Sequence, residues 1–215
     1  VANQLDNNLI IFEGSGSFIE FNDAESGEIT VRSHIEEGVD IISFSGDKLL
    51  GASQAGIIAG RRKYIDIFRN NPLTRALRPD KLTLAVLEAT LREYLLTDEA
   101  KKQIPTLRML TESEERVKAR AEKLLYELNK LNLDDIHFAL RRETSRVGGG
   151  ALPLKEVPTY LVQMSTKTDV NTIALRLRMN RPGIICRLHK NKLYINLKTV
   201  FEDEIRVIAE AFRNL

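Results

Sequence analysis

The stretch Val39-Asp40-Ile41-Ile42-Ser43-Phe44-Ser45-Gly46-Asp47-Lys48-Leu49-Leu50-Gly51 decides how the chain is read. From Val39 to Phe44 it is dominated by apolar and β-branched side chains, the composition of a buried strand, and it stops abruptly in a polar turn with a single lysine. Lys48 is therefore expected at the carboxyl end of a strand, the edge where open α/β sheets collect ligands. Two readings of it stand side by side. Lysines are rarely buried, so a solvated surface charge is the plain one. A lysine held among buried neighbours can instead lose its proton, turn nucleophilic and condense with a carbonyl group. Gly51, Gly56 and Gly60 follow closely and leave room for a ligand to approach the backbone.

Before this stretch, Leu9-Ile10-Ile11-Phe12 reads as a strand, and Thr30 to Glu37 as a short amphipathic helix with Val31 and Ile35 on one face and Gly38 as its cap. Between them, Gly14-Ser15-Gly16-Ser17 is either a plain turn or a loop whose backbone donors face an anion. Beyond Lys48, Ala55 to Ala59 is expected as a further strand, and Arg61 to Phe68 as a helix with Tyr64, Ile65 and Phe68 inward. The order strand, helix, strand, strand, helix predicts the end of a mainly parallel α/β sheet. Arg75 and Arg78 stand three apart in a short helical turn, so their guanidinium groups point the same way. They form either a solvated basic face or a pair able to close on one oxyanion.

Asp80 is placed to cap a helix running to about Leu96, with Leu84, Leu87, Leu91, Tyr94 and Leu95 at helical spacing. Thr111 with Glu114 predicts a capping box for a helix to about Leu131, whose Val117, Ala121, Leu124, Leu128 and Leu131 form a core stripe. From Ile136 the pattern alternates. Strands are expected around Ile136–Leu140, Tyr160–Met164, and a hairpin pairing Ile184, Cys186 and Leu188 with Leu193, Ile195 and Leu197 across Lys190-Asn191. Helices are expected at Val170 to Met179 and Glu204 to Phe212, which makes this part a small α+β domain with an antiparallel sheet. Arg187 in the hairpin reads either as an outward strand charge or as a residue near substrate.

The composition, 43% hydrophobic and 29% charged in 215 residues, is that of a globular protein of one or two domains. A formal net charge of +2 does not announce nucleic acid, so any RNA contact has to come from local patches. The lone Cys186 leaves no internal disulfide and no cysteine-cluster metal site, and His34, His137 and His189 lack ligand spacing. No apolar run is long enough to span a bilayer and no signal-peptide pattern opens the chain, so a cytoplasmic location is expected.

Several segments carry a resemblance to a known family. They are the string from Ser43 to Gly51, continuing through Gln54-Ala55-Gly56-Ile57-Ile58, then Asn71 to Leu84 and Leu87 to Arg92, and more weakly Gly148 to Pro153 and Phe201 to Glu204. Together they resemble the bacterial selenocysteine synthases, the pyridoxal-phosphate enzymes that are L-seryl-tRNA(Sec) selenium transferases. The resemblance implies the end of a fold-type I pyridoxal-phosphate large domain with its bridging helix over residues 1–103, and a small α+β domain over 104–215. It implies a Schiff base between pyridoxal 5'-phosphate and Lys48, supported by Asp47, with Gly14, Ser15 and Gly16 at the cofactor. Arg75 and Arg78 then clamp selenophosphate.

The implied reaction converts seryl-tRNA(Sec) to selenocysteinyl-tRNA(Sec), in a homo-oligomer without membrane attachment. Members of the family are about twice as long, and their tRNA-binding region, cofactor-phosphate loop and ring-stacking residue have no counterpart here. They also carry an acid where this sequence has Phe12, so either Glu13 takes over its contact with the pyridine nitrogen or that function is impaired. The chain by itself is accordingly expected to fold in its carboxyl-terminal half without catalysing. Two other readings stay open: a related pyridoxal-phosphate lyase acting on a small phosphorylated amino compound, and a non-catalytic assembly fragment.

Overall fold

In a computed structural model, residues 8–21, 29–148, 151 and 156–215 are described. They fall into two compact units, one of Val1–Thr111 with Arg146–Lys155 and one of Glu112–Ser145 with Glu156–Leu215. The division follows Thr111 rather than residue 103, and a short piece of chain returns to the first unit.

In the first unit β1 (Ile10–Phe12) is followed by α1 (Val31–Glu36), β2 (Ile41–Ser45) and β3 (Gly56–Gly60). β2 is the middle strand, parallel to β1 with Ile11 opposite Ile42, and antiparallel to β3 with Phe44 opposite Ile57. The sheet is thus mixed, where the sequence predicts a mainly parallel one. The reason is the connection. Between β1 and β2 the chain makes a crossover through α1, long enough for parallel pairing, whereas residues 46–55 hold only a turn and bring β3 back the other way.

Thr30 caps α1 by accepting from the Ser33 amide at 3.1 Å, and Gly38, at φ 93°, closes it in the left-handed region. Ile42, Phe44, Val31, Val39 and Leu50 form the core beside the sheet. Ile35, expected beside Val31, is exposed.

The helices that follow are α2 (Arg62–Asn70), α3 (Pro72–Ala76), α4 (Lys81–Glu93), α5 (Thr97–Gln103) and α6 (Pro105–Thr111). Of these, α2 and α4 are less buried than their periodicity predicts. No residue of α2 is fully buried, and Phe68, expected inward, is exposed. Asp80 caps α4 as expected, through the amides of Leu82 at 2.7 Å and Thr83 at 3.1 Å. Of the apolar stripe of α4, Leu87, Leu91 and Tyr94 are half-buried, while Leu84 is exposed and Leu95 is 80% exposed. An apolar stripe shows which face a helix can bury, and is silent on whether a partner surface is at hand. Tyr94 is the anchor: its hydroxyl donates to the Leu50 carbonyl at 3.0 Å, and burial pushes its phenol pKa up.

The second unit holds α7 (Glu114–Asn129), β4 (Ile136–Arg146), β5 (Glu156–Thr166), α8 (Val170–Met179), β6 (Arg187–His189), β7 (Lys192–Asn196) and α9 (Glu204–Arg213). Its sheet runs β4-β5-β7-β6, with β7 antiparallel to both neighbours. Val117, Ala121, Leu124 and Leu128 are fully buried against Val162, Met164, Leu193, Ile195 and the α9 residues Ile208 and Phe212. This is the core stripe read from the spacing. Lys190 and Asn191, both at positive φ, make the two-residue turn that sets Leu188 opposite Leu193. The cap of α7 is Ser113, and the predicted capping box is absent, because Thr111 ends α6 and donates its hydroxyl to the Leu107 carbonyl at 2.8 Å. Among the described residues no helix is long and apolar enough to cross a membrane.

One buried ion pair ties this unit together. Arg120 and Glu112, with side chains 6% and 8% exposed, pair through two bonds of 2.8 and 2.5 Å. Arg120 also donates to the Leu197 carbonyl at 2.8 Å, and Lys198 donates to the Glu112 carbonyl at 2.8 Å. Removing one partner strands the other charge, so Glu112→Ala is expected to cost about 3–5 kcal/mol in urea unfolding of the whole chain. The hydrogen bond from Arg120, then the nearby positive charges, hold the Glu112 carboxyl below the usual range. A lowered carboxylate stabilises above its unfolded pKa of about 4.3 and loses that contribution as pH falls through the folded value. The difference in stability between wild type and Glu112→Ala should therefore be flat near neutrality and shrink on acidification.

Candidate functional site

β2 ends in the turn that carries Lys48. The Gly46 amide donates to the Ala55 carbonyl at 2.9 Å, the Ala52 amide to the Gly46 carbonyl at 2.8 Å, and the Gly51 amide to the Lys48 carbonyl at 3.0 Å. Leu49 and Leu50, next to the lysine, are buried, and the Leu49 amide donates to the Ser15 carbonyl at 2.9 Å. These bonds hold the backbone at Lys48 from both sides. Its side chain is half-buried and that of Asp47 is exposed; among the described residues neither makes a hydrogen bond or ion pair.

The Gly14–Ser17 loop crosses the end of β2 at close range. At Gly16, with φ 69°, an added Cβ would lie 2.6 Å from the Ser45 carbonyl oxygen, so both conformation and space demand glycine there. The loop donors do face an anion, and that anion belongs to the chain. The Glu13 carboxylate accepts from the Ser15 amide at 3.0 Å, the Gly16 amide at 2.8 Å and the Ser15 hydroxyl. Sequence reasoning missed this contact. The signal was an acid placed directly before Gly-Ser-Gly, where its side chain can turn back onto the next amides.

Beside the loop lies an open cavity of about 890 Å³. It is lined by the β2 residues Ser43 to Ser45 and the β3 residues Gly56 to Ile58, by Phe12, Glu13 and Gly14, and by Arg69, Arg75 and Arg78. Arg75 sits in the last turn of α3, which Asn71 caps through the Leu73 amide at 2.9 Å. Arg78 lies one residue past the helix cap Leu77, off the helical turn expected for it, yet it lines the same cavity. The structure thus brings Gly14, Arg75 and Arg78 together, and leaves Lys48, Asp47, Ser15 and Gly16 outside the cavity lining. Phe12, 85% exposed, is also in the lining.

In the second unit, Arg187 pairs with Glu143 at 2.7 Å and lies over the Tyr194 ring at 5.0 Å, a strand charge with its own partners. Burial pushes the Cys186 thiol up to about 12, far from a reactive thiolate. Of the Gly148 to Pro153 segment of the resemblance, Gly148 and Ala151 are described; Gly149, Gly150, Leu152 and Pro153 lie outside the described residues.

Comparison with known proteins adds a family and a fold. The sequence model of the L-seryl-tRNA selenium transferase family matches residues 1–201. The L-seryl-tRNA(Sec) selenium transferase of Clostridium botulinum (strain 657 / Type Ba4) is 43% identical over 204 residues, covering 94% of this chain and 44% of the relative. That of Alkaliphilus oremlandii is likewise 43% identical over 204 residues with the same coverage, and that of Clostridium perfringens 42% over 205. The chain therefore spans less than half the length of the curated relatives it matches. Among solved structures, a D-glucosaminate-6-phosphate ammonia-lyase superposes with a TM-score of 0.55 at 17% identity, over 99% of this chain and 50% of that one, which shows a shared fold. With 43% identity carried through nearly its whole length and a family match over residues 1–201, the chain belongs to the L-seryl-tRNA selenium transferase family.

Proposed function

We propose that, within the complete enzyme, this chain supplies the cofactor lysine and the selenium-donor site of a pyridoxal-phosphate-dependent L-seryl-tRNA(Sec) selenium transferase. The reaction is the conversion of seryl-tRNA(Sec) to selenocysteinyl-tRNA(Sec) with selenophosphate. The observation that carries this reading is the 43% identity to enzymes of that name over 94% of the chain. A cytoplasmic homo-oligomer, with residues 112–215 contributing most of a small α+β domain, belongs to the same reading. Exposed apolar side chains on α4 and on β1, an edge strand among the described residues, favour further contacts in the assembled enzyme.

The residues fit the cofactor at its aldehyde end. The Lys48 amine stands at a strand end with no partner among the described residues, held by backbone bonds on both sides. Bound there, pyridoxal phosphate would supply an electron sink at the seryl Cα. Lys48 Nζ, once released, would take and return the proton at that carbon, with Asp47 beside it. Arg75 and Arg78 would neutralise and orient the phosphate of the selenium donor. The Ser15 amide and hydroxyl and the Gly16 amide are engaged by Glu13, so a cofactor contact with them needs Glu13 to give them up. Phe12 offers no carboxylate for the pyridine nitrogen.

A second reading rests on the shared fold with the D-glucosaminate-6-phosphate ammonia-lyase. In it the same two arginines would grip the phosphate of a small phosphorylated amino compound. The 17% identity to that enzyme, against 43% to the selenium transferases, favours the first.

Borohydride reduction of the cofactor-loaded full-length enzyme, followed by peptide mapping, should place the label on Lys48 and lose it in Lys48→Ala. A label on another lysine removes the assignment. Arg75→Ala and Arg78→Ala should each weaken selenophosphate or phosphate binding by about 1.5–3 kcal/mol, the worth of charge-assisted hydrogen bonds, in calorimetric titration. Unchanged binding in the double variant would take the donor site away from these residues.

A further inference from the structure

We infer that Arg69 is a third arm of the anion site and that the site is charge-matched to a dianion of the phosphate class. This rests on the proposed role of Arg75 and Arg78 and extends it to a residue that neither the motif nor the comparisons assign.

Arg69 occupies the last turn of α2, on a different element from Arg75, and lines the same cavity. The corner between α2 and α3 is fastened by short bonds. The Asn71 amide donates to the Phe68 carbonyl at 3.1 Å, the Thr74 hydroxyl to that carbonyl at 2.5 Å, and the Thr74 amide to the Asn71 carbonyl at 3.0 Å. Arg69 and Arg75 therefore approach the cavity from a corner whose backbone is held.

The plain alternative is that Arg69 is a solvated charge at a helix carboxyl end, where a cation is favourable in any case. Its neighbours argue otherwise. In the same unit Arg61 pairs with Asp40 at 3.1 Å, Arg62 with Asp66 at 3.7 Å, Arg32 with Glu36 at 3.0 Å and Arg92 with Glu88 at 2.7 Å. The side chains of Arg69, Arg75 and Arg78, all exposed, make no ion pair or hydrogen bond among the described residues, and all three residues line one cavity.

The cavity carries one acid, Glu13, against these three arginines, a formal +3 − 1 = +2. Phosphate monoesters carry about −1.5 to −2 at pH 7 because their second ionisation lies near pH 6, and inorganic phosphate is mostly a dianion at pH 8. Without Arg69 the cavity would be +1 and suited to a monoanion. The Glu13 carboxylate, held in place by the loop, repels a dianion more than a monoanion, so the preference rests on the three arginines outweighing it.

The test is calorimetric titration of inorganic phosphate, and of nitrate as a monoanion, into the full-length enzyme at pH 8 and fixed ionic strength. The proteins are wild type, Arg69→Gln, Arg69→Lys, Arg75→Gln and Glu13→Gln, each checked for native circular dichroism. Arg69→Gln should weaken phosphate binding roughly 10-fold or more, as the loss of a charge-assisted hydrogen bond predicts. It should change nitrate binding less, Arg69→Lys should recover part of the loss, and Glu13→Gln should tighten phosphate. If Arg69→Gln binds phosphate like wild type while Arg75→Gln does not, the third arm is wrong and the clamp stands. If wild type binds no phosphate, or Arg75→Gln binds it unchanged, the clamp and the third arm fall together.

Discussion

The first unit depends on how the end of β2 is held. β2 is the middle strand, buried at Ile41, Ile42 and Phe44, and its polar continuation has to leave the core within a few residues. The Gly14–Ser17 loop makes that exit possible. It passes so close to Ser45 that only glycine fits at position 16, and its Ser15 carbonyl receives the amide of Leu49. The loop in turn holds its shape because the Glu13 carboxylate satisfies two of its amides, one of them in the buried Ser15. Unpaired, those groups would each cost about 1–3 kcal/mol in a buried setting. Lys48 is thus placed by a chain of backbone contacts beginning at Glu13.

Where the sequence was legible, one physical requirement dominated the position. The α7 stripe is read correctly because Val117, Ala121, Leu124 and Leu128 face a sheet in the same unit, so periodicity and burial coincide. The Lys190-Asn191 turn is legible because the apolar alternation on either side, Leu188 before it and Leu193 and Ile195 after it, leaves two residues to close the hairpin. The limits of α8 match for a similar reason, with Asp169 accepting from the Thr172 amide at 3.1 Å and Pro182 following soon after the helix end. Where reading failed, the deciding interaction lay outside the local pattern. The exposed faces of α2 and α4 have the right spacing and no surface covering them among the described residues. The direction of β3 was set by the length of its connection, and Ser113 displaced Thr111 as a cap because a separate helix, α6, ended at Thr111.

The site was legible in its residues and not in its grouping. Arg75, Arg78 and the glycine-serine loop were each visible as possible anion contacts. Spacing did not show that Gly14 and the arginines share one cavity while Lys48 stands outside its lining. Nor could it show that the loop donors are already engaged, since an acid beside a turn is common and its side-chain direction depends on the fold. Arg69 was invisible for a related reason: on α2 alone it is one more exposed arginine, and only the corner at Asn71 turns it toward the others.

The charges of the chain sort by what surrounds them. Arg120 and Glu112 are buried, and each has the partners it needs, so their pairing serves the fold. Arg32, Arg62 and Arg92 lie on helix surfaces against carboxylates one turn away, an arrangement worth a few tenths of a kcal/mol that leaves little charge for anything else. The arginines around the cavity follow neither pattern. The one carboxylate in their cavity is Glu13, and it is committed to the loop. That commitment has a consequence for recognition. In the proposed reading, with the Ser15 and Gly16 amides taken by Glu13, an incoming anion is held by the guanidinium groups along the cavity lining, by charge more than by a backbone cradle. A family whose proposed donor is a highly charged oxyanion would gain from such a wall.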